Sequence, residues 1–260
     1  FREYADADFG YHYYPCKKSY YKKVLESYSI CITKGLQEYH HLSPQKSRVI
    51  YNGITTDIGE HHRQETEDYF LYAGRIEPSK APLQVVMAYH SFLKQMPTSP
   101  IVLNLAGHTT DVAYHERITS YIAKNNLENH VFFLGNRNDL HALMSKARAT
   151  IVSSVSEAFG RCLPEAMLSG CLTIGRDTGG TKEQYDNGVQ LCGNEIGLRY
   201  TTTEDLALRM AEVAMSPSNQ YDNLKQQAKE VVRKLYSQSH YCDEVYNYYE
   251  EIIQRHNNNR

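Results

Sequence analysis

The feature that most constrains the fold is a regular alternation of short apolar runs with longer helical stretches between residues 69 and 200. Short apolar runs bounded by polar residues are typical of buried strands. Strands that alternate with helices predict a parallel, doubly wound α/β sheet, covered by helices on both faces. The predicted strands are residues 69–73, 101–106, 131–134, 149–153, 171–174 and 189–191, and the predicted helices are residues 82–95, 114–124, 139–146, 164–169 and 181–185.

The rest of the chain divides around this pattern. We predict that residues 1–46 are the remnant of a preceding domain and that residues 47–68 form an entry segment, exposed as a linker from residue 54 onward. Residues 201–260 are predicted to form C-terminal helices, the first of them opened by a capping box of Thr201 and Glu204. The chain begins at Phe1 without a methionine, and we expect this to be a cut end.

Composition argues against several classes of protein. The formal net charge of −2 provides no overall field for binding nucleic acid. The six cysteines form no C-x-x-C pair, which favours reduced thiols over a disulfide framework. The histidines lack the spacing of metal ligands, so we expect no metal. No apolar run approaches the roughly 18 residues that a membrane-spanning helix needs.

The stretch Ser153–Gly170 carries two carboxylates, Glu157 and Glu165, on either side of a proline. Pro164 suits the first position of a helix, and the residue before it, Leu163, should still be extended. Glu157 is then in a loop and Glu165 in the first helical turn. Loop amides and a helix N-terminus favour an anion such as phosphate, and the carboxylates could accept hydrogen bonds from sugar hydroxyls. The alternative is that Glu165 only complements the helix dipole and Glu157 is solvated.

Two cations follow the first strand of this sheet, and ligands of such sheets bind beyond the carboxyl ends of the strands. Arg75 can bind a phosphate bidentately and Lys80 can add a point charge, which together suit a diphosphate. The alternative is a pair of unconnected surface cations.

Two further loops are predicted at the same edge of the sheet, the rim formed by the loops that follow the carboxyl ends of the strands. Gly179 and Gly180 permit a close approach of the backbone, and Thr181 could cap the next helix. Asn136 and Arg137 follow the third strand, where exposed backbone could bind the edge of a nucleobase or form an ordinary connection.

Taken in order along the chain, these motifs resemble the C-terminal donor half of the family 4 retaining glycosyltransferases, which have the GT-B fold. The resemblance covers roughly residues 47–200. It is carried by Arg75 with Lys80, Glu157-Ala158-Phe159-Gly160, Glu165-Ala166-Met167, Gly170, and Gly179-Gly180-x-x-Glu183.

The resemblance implies a role for each matching residue. Arg75 and Lys80 would hold the donor diphosphate, Glu157 would bind hydroxyls of the donor sugar, and Glu165 would bind the ribose. Further donor contacts are implied for Phe159, Gly160, Arg161, Asn136, Arg137, Gly179 and Gly180.

The implied activity is transfer of a hexose, with retention of configuration, from a nucleotide-diphosphate sugar of the UDP or GDP type, without a metal or cofactor. A saccharide or lipid-linked acceptor would bind through an N-terminal domain, so we expect the chain alone to turn over poorly. The implied location is the cytoplasm, with peripheral association of the full protein at the inner face of the membrane allowed. Two alternatives remain open: a non-catalytic nucleotide-sugar-binding module, and a GT-B-like sugar-nucleotide epimerase.

Overall fold

The computed structural model describes residues 26–56, 66–109, 111–217 and 219–258. They form one six-stranded parallel sheet and one two-stranded parallel sheet, surrounded by helices. The strands are β1 (Ser29–Cys31), β2 (Ser47–Val49), β3 (Tyr69–Ala73), β4 (Val102–Ala106), β5 (Val131–Gly135), β6 (Ala149–Val152), β7 (Thr173–Arg176) and β8 (Leu198–Tyr200). The helices are α1 (Lys34–Tyr39), α2 (Pro82–Gln95), α3 (Val112–Lys124), α4 (Leu140–Lys146), α5 (Cys162–Leu168), α6 (Gly179–Cys192), α7 (Thr203–Met215), α8 (Asp222–Leu235) and α9 (Gln238–Asn258).

The larger sheet has the strand order β5-β4-β3-β6-β7-β8, and every neighbouring pair is parallel. The doubly wound α/β fold predicted from the sequence is therefore confirmed. The chain builds outward from β3 to β5 and then returns to add β6 on the other side of β3. The order thus reverses between β3 and β6, and ligands of such sheets bind beyond the carboxyl ends of the strands at a reversal of this kind.

Helices cover both faces of this sheet. Phe70 and Tyr72 of β3 pack in the cluster formed with α2, α3 and α7. Tyr69, Leu71 and Ala73 of the same strand point to the opposite face, where α4 and α5 pack. Successive side chains of a strand alternate between the two faces of the sheet, and helices cover both faces here. All five residues of β3 are therefore buried, and the strand is a continuous apolar run.

The prediction of a strand at residues 189–191 is wrong, because those residues lie in α6 and the last strand is β8. A short apolar run does not distinguish a strand from a buried helix. Thr181 does not cap α6 either, since the helix already begins at Gly179 after the extended Thr178.

Two other predicted helix starts are also displaced. The capping box of α7 is Thr202 with Asp205, one residue beyond the predicted pair. Helix α5 begins at Cys162, so Leu163 is helical rather than extended. Pro164 is tolerated there because amides of the first helical turn have no partner within the helix. Glu165 lies in the first turn, as predicted.

The N-terminal elements are joined to the C-terminal helices. Arg48 of β2 pairs with Glu251 of α9 at 2.6 Å, and Tyr248 of α9 donates a hydrogen bond to the carbonyl of Lys46 at 2.7 Å. Ile54, predicted to begin an exposed linker, is instead 1% exposed and hydrogen-bonds through its amide to the carbonyl of Tyr236 at 2.6 Å. Residues 57–65 of the predicted linker lie outside the described residues.

No described helix is both long and apolar enough to cross a lipid bilayer.

The loops that follow β3, β4 and β5 are held together by backbone hydrogen bonds. The amide of Gly74 donates to the carbonyl of Ala106 at 2.9 Å, and the amide of Gly107 donates to the carbonyl of Gly135 at 2.8 Å. A Cβ on Gly107 would lie 1.8 Å from the carbonyl oxygen of Gly74. Gly107 therefore lets two loops of the rim approach more closely than any side chain would allow.

We predict that Gly107→Ala lowers the free energy of unfolding by about 3 kcal/mol, because backbone must move to admit the methyl group. The matched control is Gly193→Ala, where the added Cβ meets no atom within 4 Å. The control should lose only about 1 kcal/mol, from its left-handed backbone. Urea unfolding measures both values, and equal losses would contradict this account of Gly107.

Candidate functional site

The candidate site lies where β3 and β6 end side by side. Strand β3 is followed by the Arg75 turn and by the short 3-10 helix Pro78–Lys80, and β6 is followed by the loop that leads into α5. The amide of Val155 donates to the carbonyl of Ser79 at 2.9 Å. The hydroxyl of Ser153 donates to the carbonyl of Lys80 at 2.6 Å. The two loops are thus bonded into one rim at the point where the strand order reverses.

An ion pair crosses this rim. Lys80 Nζ lies 2.5 Å from Glu157 Oε2, and the hydroxyl of Ser154 donates to the same oxygen at 2.9 Å. The Lys80 and Glu157 side chains are 20% and 19% exposed. The structure therefore joins two of the predicted catalytic residues directly. Partial burial strengthens such a pair, because water screens it less than it screens a surface pair.

Each of two further cations of the site is also paired with a carboxylate. Arg75 lies 3.0 Å from Glu77, and Arg161 lies 3.2 Å from Glu165. The arginine side chains are 55% and 63% exposed. An ion pair with such an exposed member contributes about 0–1 kcal/mol to stability, so these arginines can leave their carboxylates for a ligand at little cost in free energy.

Helix α6 packs against the loop between β6 and α5, residues 153–161, which we call the Glu157 loop. The amide of Gly180 donates to the carbonyl of Glu157 at 2.7 Å. A Cβ on Gly179 would lie 2.7 Å from that carbonyl oxygen, and a Cβ on Gly180 would lie 2.3 Å from the carbonyl oxygen of Ala158. The two glycines therefore allow the start of α6 to pack directly against the backbone of the Glu157 loop.

Phe159 and Gly160 occupy the centre of the same loop. The Gln184 side-chain amide donates to both of their carbonyls. Phe159 is 2% exposed, and its ring packs 5.4 Å from the ring of Tyr236. Gly160 has φ +74°, and a Cβ there would lie 2.6 Å from Glu157 Cγ. A side chain at position 160 would therefore displace the Glu157 carboxylate from Lys80.

Asn136 and Arg137 share the rim but follow the outermost strand, β5. Arg137 makes two hydrogen bonds to the carboxylate of Asp139, at 2.8 and 2.6 Å. This hydrogen bonding holds the pKa of Asp139 below its ordinary value. The structure does not bring these two residues into contact with the Lys80–Glu157 pair.

Sequence reasoning missed several residues that hold the site. Ser153 and Ser154 orient Lys80 and Glu157, and only their place directly after a strand could have marked them. Gln184 follows Gly180 by four residues and so lies on the same face of α6, a spacing that could have revealed it. Ala81, with φ +53°, turns the chain from the 3-10 helix into α2, and nothing in the sequence marks an alanine for that backbone conformation.

This arrangement of cations, loop amides and a helix N-terminus suits an anion flanked by hydroxyl groups. Among the described residues, no three His, Cys, Asp or Glu side chains are grouped so that they could hold a metal ion.

Comparison with known proteins identifies related sequences. Residues 54–231 match the model of the family described as glycosyl transferases group 1. The D-inositol 3-phosphate glycosyltransferase of Jonesia denitrificans is 26% identical over 183 residues, which are 61% of this chain and 43% of that protein. The O-antigen chain mannosyltransferase RfbU of Salmonella typhimurium is 28% identical over 164 residues, which are 62% of this chain and 44% of that protein. The chain therefore spans less than half the length of these curated relatives.

Solved structures show the same fold. Sucrose-phosphate synthase from Thermosynechococcus elongatus superposes with a TM-score of 0.77 at 19% identity, covering 98% of this chain and 67% of that chain. Anabaena Alr3699/HepE in complex with UDP and glucose superposes with a TM-score of 0.74 at 19% identity, covering 90% of this chain and 67% of that chain.

The site predicts an unreactive thiol at the start of α5. Burial first, and then the carboxylates of Glu165 and Glu157, raise the pKa of Cys162 far above its ordinary value. Because the thiolate is the nucleophile, iodoacetamide at about pH 8 should alkylate the exposed Cys242 much faster than Cys162. Peptide mass spectrometry over a time course measures both rates. Equal rates would contradict the predicted environment of Cys162.

Proposed function

Because the chain belongs to the glycosyl transferases group 1 family, we propose that it provides the donor-binding half of an enzyme that transfers a sugar from a nucleotide diphosphate. The observation that carries this proposal is the Lys80–Glu157 pair at the reversal of strand order, 2.5 Å apart and mostly buried. The pair sets a cation for phosphate beside an acceptor for sugar hydroxyls. A nucleotide-diphosphate sugar carries both groups next to each other.

The diphosphate would lie among Lys80, Arg75 and the N-terminus of α5. Both arginines of the site reach it at little cost, because their pairs with Glu77 and Glu165 are exposed. As the bond between sugar and diphosphate breaks, negative charge grows on the leaving phosphate. In this proposal Lys80, the two arginines and the amides at the start of α5 stabilise this charge, and no metal is needed.

The two carboxylates would bind hydroxyls at opposite ends of the diphosphate. Glu157, held by Lys80 and Ser154, accepts from the sugar, and Glu165, in the first turn of α5, accepts from the ribose. Neither acts as an acid or base in this proposal. Retention of configuration, a hexosyl donor and a UDP or GDP base are parts of the same proposal. The resemblance in sequence supports them, and the UDP and glucose bound by Anabaena Alr3699/HepE are consistent with them.

The first test is isothermal titration calorimetry of the folded chain with UDP-, GDP- and ADP-sugars. Binding of at least one of them is expected, and binding of none would contradict the proposal. If a donor binds, NMR of the mixture incubated without acceptor tests the epimerase alternative, because an epimerase would convert the sugar of the donor. We expect no such conversion. With an acceptor present we expect only slow transfer by this chain alone, and the non-catalytic alternative predicts no transfer even by the intact protein.

We predict that Arg75→Ala weakens donor binding about tenfold or more, as expected for loss of a charge-assisted hydrogen bond to phosphate. The matched control is Arg148→Ala, which removes an arginine paired with Asp68 at 2.7 Å beside the amino end of β6. The control should leave donor affinity unchanged. If both variants bind the donor as tightly as the wild-type chain, Arg75 does not contact the diphosphate.

Replacing Glu157 and Glu165 one at a time should distinguish the residue that binds the donor sugar from the residue that binds the ribose. Glu157→Gln is expected to remove most of the affinity advantage of UDP-glucose over UDP, and to leave UDP binding equal or tighter because Lys80 loses its counter-ion. Glu165→Gln is expected to weaken both ligands by the same factor, since both contain ribose. Calorimetry with the two ligands measures the ratio, and an unchanged ratio in Glu157→Gln would refute its role at the sugar.

A further inference from the structure

Glu183 belongs to the motif Gly179-Gly180-x-x-Glu183, yet it does not face the rim where donor binding is proposed. Its carboxylate instead accepts hydrogen bonds from the amide of Lys34 at 2.7 Å and from the amide of Gly35 at 3.1 Å. These are the first two residues of α1, whose amides have no partner within the helix. A carboxylate at a helix N-terminus is favourable, so Glu183 fixes α1 against α6 across 149 residues of chain.

Tyr51 joins the same group from the segment that enters the large sheet. Its hydroxyl donates to Glu183 Oε1 at 2.9 Å. Burial first, and then the charge of Glu183, raise the pKa of Tyr51 well above its ordinary value, so the hydroxyl remains a donor. The Tyr51 ring lies 6.2 Å from the ring of Phe159, in the middle of the Glu157 loop. Tyr51 therefore contacts Glu183 through its hydroxyl and the loop through its ring.

Helix α6 makes a second connection to that loop next to Glu183. Gln184 donates to the carbonyls of Phe159 and Gly160, and Gly180 donates to the carbonyl of Glu157. Neighbouring residues of one helix therefore bind both the Glu157 loop and the segment that contains α1 and Tyr51, which we call the N-terminal segment. A displacement of α1 or of Tyr51 would change the packing around Phe159.

We propose that Glu183, acting through Tyr51 and α6, is a positioning residue that sets the Glu157 loop for the donor sugar according to the placement of the N-terminal segment. This inference rests on the proposed function. It acts on the sugar more than on the nucleotide, because Glu157 itself belongs to this loop, whereas the diphosphate cations Arg75 and Lys80 lie on the β3 side of the rim. Removal of the link therefore weakens recognition of the sugar more than recognition of the nucleotide.

The test compares the affinity of the whole chain for UDP-glucose with its affinity for UDP in three variants. Tyr51→Phe removes one hydroxyl and keeps the ring, and Glu183→Gln replaces one acceptor oxygen by a donor amide. Lys182→Gln is the matched control, since Lys182 pairs with the surface carboxylate of Asp186 one turn along the same helix. The same measurements are made with GDP-mannose and GDP, so that the outcome does not depend on one base.

We expect both Tyr51→Phe and Glu183→Gln to lower the advantage of the sugar nucleotide over the bare nucleotide by about threefold to tenfold, in line with couplings through packed networks. The control should change neither affinity, and the two variants should change the affinity for the bare nucleotide less than the affinity for the sugar nucleotide. Hydrogen exchange of the peptide around Phe159 should quicken in the two variants and not in the control.

The outcomes separate this inference from the proposed function. If the wild-type chain binds no sugar nucleotide, both are overturned. If it binds the sugar nucleotide no better than the bare nucleotide, only the positioning role is overturned. If the wild-type chain shows a sugar advantage that Glu157→Gln removes, while Tyr51→Phe and Glu183→Gln retain it, only the positioning role is overturned. A variant that loses UDP and UDP-glucose equally is merely destabilised, and that result also contradicts the positioning role.

Discussion

The site depends on one ion pair between residues that are 77 positions apart, Lys80 and Glu157. The pair exists because β3 and β6 are neighbours in the sheet, although two βα units separate them along the chain. The strand order reverses there, so the helices α2 and α5 that follow the two strands pack on opposite faces of the sheet. At this point the ion pair fixes a cation beside a carboxylate before any ligand arrives, and the proposed donor needs both, one for its phosphate and one for its sugar hydroxyls.

Close backbone contacts keep that pair in place. Gly107 brings the loops after β3 and β4 together, and Gly180 brings α6 against the Glu157 loop. Gly160 leaves room for the Glu157 side chain itself. Each glycine adjoins a backbone atom or, at Gly160, the Glu157 Cγ atom, which an added Cβ would overlap. The backbone around the Lys80–Glu157 pair is consequently closely packed, which suits the proposed stabilisation of a leaving group by charges held near their places.

The sequence was sufficient for five of the six strands of the large sheet, because buried parallel strands are visible as apolar runs. It was also sufficient to predict which loops follow the carboxyl ends of those strands. It placed Glu157 in a loop and Glu165 in a first turn correctly. It could not show that Lys80 meets Glu157, since pairing depends on strand order and register. The apolar run at residues 189–191 was wrongly predicted as a strand because a short run does not distinguish a strand from a helix. The hydrogen bond between Lys34 and Glu183 could not be predicted, since it joins segments that share no local sequence pattern.

The most direct test is a crystal structure of the chain grown with UDP-glucose. The account predicts the diphosphate within hydrogen-bond distance of Lys80 Nζ and of amides at the start of α5, with glucose hydroxyls on the Glu157 carboxylate. A nucleotide bound at another edge of the sheet, or one at this edge with its sugar turned away from Glu157, would contradict it.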